Sequence, residues 1–327
     1  MRVTSGWEPD RSGKFASMTT VDSATLLIDG PWQHRFVAAN GARFHVAVCG
    51  PDDRDAPLVV LLHGVPQFWW AWRHQLPALA EAGYRVAAMD VRGTGGSDKP
   101  PQGYDVPTLA TDVAGVVRSL GASEAVVVGN GTGGEVAWAL AALHPEVTRA
   151  VAALGAPHPL DTQWRPRAAI RPGAMRRLAF VQLPSFPERA LTRGDLVVQL
   201  LTEWGGTPGW LDAEAERTYR DAIRVPFAAH SQMEQLRWLV RSMPRLDGRR
   251  YRSALESTRP LPVLQVHGAK DGLRPAPYAA LSSGTAALLG PDYRYELVAS
   301  AGHYLPDEVP EQVTDLLLDW LGETVPA

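Results

Sequence analysis

Residues 125–145, AVVVGNGTGGEVAWALAALHP, constrain the fold more than any other stretch, because a β-branched run breaks into glycines and re-emerges at helical spacing. Val126, Val127 and Val128 suit a fully buried strand, and Val136, Ala137, Leu140 and Ala141 recur on a helix that His144 and Pro145 bring to a stop. Strand, tight turn and helix follow one another, and two turns of known chemistry fit the glycines. Gly129, Gly131 and Gly134 spell the dinucleotide-binding G-x-G-x-x-G in the context that motif requires. Gly129, Gly133 and Gly134 equally frame a nucleophile elbow, where the residue two after the first glycine projects the attacking atom. That seat is held by Gly131, which has no side chain.

The rest of the chain decides which turn this is. Residues 34–39 and 43–49 read as two strands joined at Asn40-Gly41, a dipeptide suited to a two-residue hairpin. From Pro57 onward, buried strands alternate with helices. The sequence runs LVVLLHG, a tryptophan-rich helix to about 81, YRVAAMD, a glycine-rich loop, a helix over 107–120, the central AVVVG, and then RAVAALGAP. Between 158 and 255 the alternation stops and helical patterns such as ALTRGDLVVQLLTEW and SQMEQLRWLVRSM take over. It resumes with LPVLQVHGAKD, a helix near 278–289, YRYELVA and EQVTDLLLDWL. The pattern predicts an α/β fold, a mostly parallel, doubly wound sheet built from residues 31–157 and 256–327, with an inserted helical cap over 158–255. Residues 1–30 are polar and read as a flexible N-terminal segment.

A dinucleotide fingerprint follows the first strand of its fold and is answered by an acidic residue at the end of the next. Here the next strand ends in Gly155-Ala156-Pro157, with no carboxylate for a ribose, and GTGGSDK lacks the lysine spacing of a phosphate loop. No cofactor is expected. A net charge of −3 offers no attraction to nucleic acid or to an anionic membrane surface. No apolar run reaches the roughly 18 residues of a membrane span, and the N-terminus has no secretory pattern, so a cytoplasmic location is expected. Cys49 is the single cysteine, which excludes an internal disulfide and any CxxC pair; it alternates within FHVAVCG as a packed thiol, and no metal site is expected.

With these elements in order, the sequence resembles the α/β-hydrolase superfamily, in its epoxide hydrolase and haloalkane dehalogenase branch, from about Arg35 to Leu321. His63-Gly64-Val65-Pro66 looks like the HGxP oxyanion loop, and residues 90–100, DVRGTGGSDKP, look like the D-x-R-G-x-G-x-S-x-x-P loop. Trp138 in the central helix, Asp271 after HGAK, and Gly302-His303 after the last strand complete the series. The resemblance implies an α/β-hydrolase fold with a cap. It also implies His303 as the base, Asp271 as the carboxylate that orients it, and an oxyanion hole at the backbone N–H groups of Val65 and Thr132.

Two departures from the family pattern follow. Gly131 leaves the nucleophile position vacant, and neither Asn130 nor Thr132 replaces it. In the cap, Gln235 and Leu236 stand where aromatic hydroxyls usually precede an Arg-Trp pair, which leaves Tyr219 and His230 as possible proton sources. Phe68, Trp69, Trp164, His230, Gln235, Leu236 and Trp238 are candidates to face the cleft between core and cap, beside Trp70 and Trp72, and they point to an apolar, even polycyclic, small molecule. The expected protein is a monomer or homodimer. It uses His303 as a general base without a covalent intermediate. The alternatives are an epoxide hydrolase inactivated by substitution at its nucleophile and a pseudoenzyme that only binds ligand.

Overall fold

The computed structural model describes residues 20–164, 170–242 and 245–327, apart from the side chains of 163 and 164. Eight strands form one sheet: β1 (Gln33–Ala39), β2 (Ala42–Cys49), β3 (Leu58–Leu62), β4 (Arg85–Met89), β5 (Ala125–Asn130), β6 (Thr148–Leu154), β7 (Val263–Gly268) and β8 (Tyr293–Val298). Their spatial order is β1-β2-β4-β3-β5-β6-β7-β8. The hairpin β1–β2 is antiparallel and β2 joins β4 antiparallel; every later pairing is parallel. Asn40 and Gly41 both take positive φ at the hairpin turn, 43° and 72°, as a turn that matches strand twist requires.

Period-two alternation sends the buried strand residues to two apolar layers. Val59, Leu61, Val126 and Val128 face a layer that includes Trp69, Trp72, Leu76 and Leu79. Leu58, Val60, Leu62 and Val127 face the other, with Val113, Val117, Trp138 and Leu140. Burying each such side chain contributes about 1.5–3 kcal/mol, so the strands need both faces covered. Helices that cover these faces include α1 (Gln75–Glu81), α2 (Val106–Ser119) and α3 (Thr132–Leu143).

The segment between β6 and β7 is helical: α4 (Pro159–Trp164), α5 (Pro172–Val181), α6 (Phe186–Arg193), α7 (Leu196–Trp204), α8 (Ala213–Arg224), α9 (Ala228–Arg241) and α10 (Leu246–Leu255). Arg237 of α9 knits it together, donating to the carbonyls of Val181 and Leu183 and to the carboxylates of Glu188 and Glu234. Tyr251 and Leu255 of α10 belong to the core layer on the α3 side. The chain closes with α11 (Ser283–Leu289), α12 (Leu305–Glu308) and α13 (Pro310–Thr324).

Three local expectations are corrected. The tryptophan-rich helix is a 3₁₀ turn, Trp69–Trp72, followed by the short α1. The helix near 278–289 is a 3₁₀ turn, Ala276–Tyr278, and then α11. The N-terminal segment is not loose up to residue 30, because a turn at Ser23–Leu26 buries Leu26 and its carbonyl accepts the Trp69 indole N–H at 3.0 Å. Residues 1–19 lie outside the described residues.

Candidate active site

The loops that leave β3, β5, β7 and β8 all emerge at the carboxyl ends of parallel strands, where ligands bind in sheets of this kind. β5 turns into α3 through Gly131, at φ 54° and ψ −117°. This is a backbone conformation that L side chains rarely adopt. The turn is tight because its neighbours lack side chains. A Cβ on Gly133 would lie 2.3 Å from the Leu62 carbonyl oxygen, and one on Gly134 would lie 2.4 Å from the Ala156 methyl. Thr132 opens α3, so its N–H has no partner within the helix.

His303 follows β8 in a loop and is 4% exposed. Its N–H donates to the Trp204 carbonyl at 3.1 Å, and its Nδ1 lies 2.9 Å from Asp271 Oδ2. The other ring nitrogen, Nε2, lies 2.8 Å from where a Cβ on Gly131 would stand. Asp271, fully buried after β7, accepts the N–H groups of Leu273 and Arg274 on Oδ1, at 2.7 and 2.8 Å. Burial pushes its carboxyl up, but the His303 ring, the nearby His267 and the Arg274 N–H outweigh burial and hold it below the ordinary aspartate range. A carboxylate that stays ionised in a dry site can fix the imidazole's tautomer and stabilise its protonated form.

Gly131, Thr132, Val65 and His303 border one cavity, together with Glu135, Ile170, Leu178, Trp204, Leu236, Leu239, Val240, Leu273 and Arg274. About 100 Å³ of it is available to the centres of water molecules. That space holds several waters or a small organic group, since one water needs roughly 10–15 Å³ by this measure. A larger open groove, lined by Arg35, Arg54, Arg85 and Gly121, lies at the amino ends of β4 and β5, away from these groups.

Of the described residues expected to bind substrate, only Leu236 borders the cavity. Phe68 and Trp69 are fully buried in the layer that also holds α1, where Trp69 donates its backbone N–H to Asp90. Trp70 and Trp72 belong to the same layer. Gln235 donates to the Arg92 carbonyl, and Trp238 packs beside Tyr251. Helical phase explains this, because Leu236, Leu239 and Val240 share one face of α9 while Gln235 and Trp238 point elsewhere. His230 is 44% exposed beside Glu188, and Tyr219 is fully buried with its hydroxyl on Asp307. Neither borders the cavity, so neither is placed as its acid. The side chain of Trp164 lies outside the described residues.

The cavity also contains charged groups that the motifs did not single out. Glu135 lies one helical turn beyond Gly131, and its Oε1 accepts from Arg274 at 3.0 Å. Burial raises the Glu135 carboxyl and Arg274 offsets that only in part. The i,i+4 spacing from Gly131 could have revealed Glu135; Arg274 and Trp204 arrive through tertiary contacts alone. Among the described residues, no cluster of three or more His, Cys, Asp or Glu could hold a metal ion.

A mostly parallel sheet, a glycine-framed elbow, and a buried aspartate–histidine pair under helices inserted after β6 define an α/β hydrolase. The family model described as alpha/beta hydrolase fold matches residues 57–310, and the chain belongs to that family. It has epoxide hydrolase-like homologues. It is 32% identical over 325 residues to epoxide hydrolase A of Mycobacterium tuberculosis, covering 88% of this chain and 96% of that one. It is 31% identical over 299 residues to the AB hydrolase superfamily protein YfhM of Bacillus subtilis, covering 88% and 97%. The crystal structure of epoxide hydrolase A from Mycobacterium thermoresistibile superposes with a TM-score of 0.73 at 28% identity, over 89% of this chain and 98% of that one. No helix among the described residues is long and apolar enough to cross a membrane.

Proposed function

We propose that this protein is an epoxide hydrolase-like enzyme that acts on a small hydrophobic molecule through general-base catalysis by His303. Asp271 orients the imidazole, the backbone N–H groups of Val65 and Thr132 serve as the oxyanion hole, and no covalent intermediate forms. One observation carries the reading: the free ring nitrogen of His303 is aimed at Gly131, 2.8 Å from the place of a Cβ that is absent. Where a carboxylate would attack, a water or a substrate hydroxyl can stand within reach of the base. The cavity's aliphatic lining, from Ile170, Leu178, Leu236, Leu239, Val240 and Leu273, supports a hydrophobic ligand. Epoxides are the first class to test, because the relatives named above include an epoxide hydrolase.

The test compares the unmodified protein, His303→Ala and Gly131→Asp on small aryl and aliphatic epoxides, esters and enolisable ketones. General-base chemistry predicts turnover by the unmodified protein that falls on the order of a hundredfold or more in His303→Ala. Gly131→Asp should abolish that activity, because the new side chain takes the space beside Nε2. Turnover that survives His303→Ala overturns the reading. Epoxide hydrolysis that appears only in Gly131→Asp would instead identify a hydrolase that lacks nothing but its nucleophile, since triad members act as a unit.

A further inference from the structure

Opening an epoxide with water needs a base for the water and a proton for the departing oxygen. No tyrosine is among the residues lining the cavity, and Tyr219 and His230 face elsewhere. The chain must supply the proton from another group, if the reaction proposed above is an epoxide opening. Besides His303, the titratable groups on the cavity among the described residues are Glu135 and Arg274. An arginine does not give up its proton in this range, which leaves Glu135.

We infer that Glu135 is the general acid that complements His303, with Arg274 as the residue that positions its carboxyl and stabilises the carboxylate left behind. Helical side chains lean toward the N-terminus, so Glu135 at i+4 covers the turn that begins at Gly131 and lies on the same face. One oxygen, Oε1, is held by Arg274 Nη2 at 3.0 Å, and the carboxyl borders the cavity. Arg274 is itself fixed by the base's own partner, because its N–H donates to Asp271 Oδ1 at 2.8 Å. The two acid–base pairs therefore hang on one loop. The glutamate is 5% exposed, and its burial favours the protonated form the role requires.

The step balances without any other reactant. His303 Nε2 takes a proton from water as the water oxygen bonds to a ring carbon. The ring C–O bond breaks with its electron pair passing to oxygen, and that oxygen takes the Glu135 proton. The products are a diol, a glutamate and an imidazolium, and return of the imidazolium's proton to Glu135 through solvent closes the cycle.

The inference rests on the proposed function, and the experiment separates the two. Unmodified protein, Glu135→Gln, Glu135→Asp and His303→Ala are assayed on styrene oxide and on p-nitrophenyl acetate, whose nitrophenolate leaves without needing a proton. Glu135→Gln should lose about a hundredfold to ten-thousandfold in kcat/KM on the epoxide, together with the alkaline limb of its pH profile. The ester should change by less than about threefold. Glu135→Asp, which keeps an acid, should recover part of the epoxide rate and restore the alkaline limb. His303→Ala should lose both reactions. Equal losses on both substrates in Glu135→Gln, or no loss on either, would make the pair a structural tie between α3 and the Asp271 loop and overturn the inference while leaving His303 in place. A His303→Ala protein that keeps both activities overturns the proposed function and with it the pairing of Glu135 with His303, and an unmodified protein that opens no epoxide overturns both.

Discussion

Gly131 combines two constraints that a different residue would have to satisfy at once. Its φ of 54° is strained for any side chain, and a Cβ there meets His303 Nε2 at 2.8 Å. Gly131→Ala is expected to cost about 1–3 kcal/mol of stability from the backbone conformation, with a further increment as the imidazole shifts. Urea denaturation at constant pH measures it, and an unchanged midpoint would mean that the turn relaxes to another geometry. At the partner residue the expectation concerns activity. Asp271→Asn removes the acceptor for His303 Nδ1 and presents an amide that can impose the wrong tautomer. The rate should fall on the order of a hundredfold or more, with stability measured in parallel to separate misfolding from mis-orientation.

Between β6 and α4, His158 packs edge-on to Trp138 of α3, ring centroids 4.7 Å apart, and is 1% exposed. Burial lowers its pKa from 6.5 to about 4, with Asp161 opposing only weakly. The unfolded chain therefore takes up a proton below pH 6.5 that the folded protein refuses until about pH 4. The sign follows from linkage: stability rises with pH wherever the unfolded state binds more protons, so this contribution is present above pH 6.5 and lost as pH falls toward 4. The loss amounts to something on the order of 3 kcal/mol. His158→Phe keeps the ring against Trp138 and should flatten the stability curve over that window, as thermal unfolding across pH would record. The same curve unchanged in His158→Phe would assign the acid sensitivity to other groups. Element by element, the strands and α2 and α3 were legible because alternation and helical period report burial directly. The face of α9 was not, because the short motif around Arg237-Trp238 says nothing of the helix's rotation, and rotation decided that Leu236 meets the cavity while Gln235 and Trp238 do not.

At the scale of the molecule, one carboxylate ties the inserted helices to the loop that carries His303. Glu308 Oε2 accepts the N–H groups of Gly206, Thr207 and Gly302, and Oε1 accepts that of Tyr304, all within 2.8–2.9 Å. It thus grips the chain on both sides of His303 and the segment just after α7. Glu308→Gln turns one acceptor into a donor that faces other donors, so a loss of about 2–3 kcal/mol in stability and a falling rate should appear together. A variant of normal stability and rate would show that the loops hold without it. The sequence alone determined the sheet and the turn at Gly131, because periodicity and turn chemistry are local and survive in a string of letters, and the order of its motifs offered His303 and Asp271 as candidates. Only the tertiary structure decided that Phe68, Trp69, Trp70 and Trp72 belong to the core. The same holds for Arg274 and Trp204, which reach one cavity with His303 from distant parts of the chain. An aromatic side chain lowers the free energy as well against a sheet as against a ligand, so its letter cannot say which; the packing of layers around β5 does.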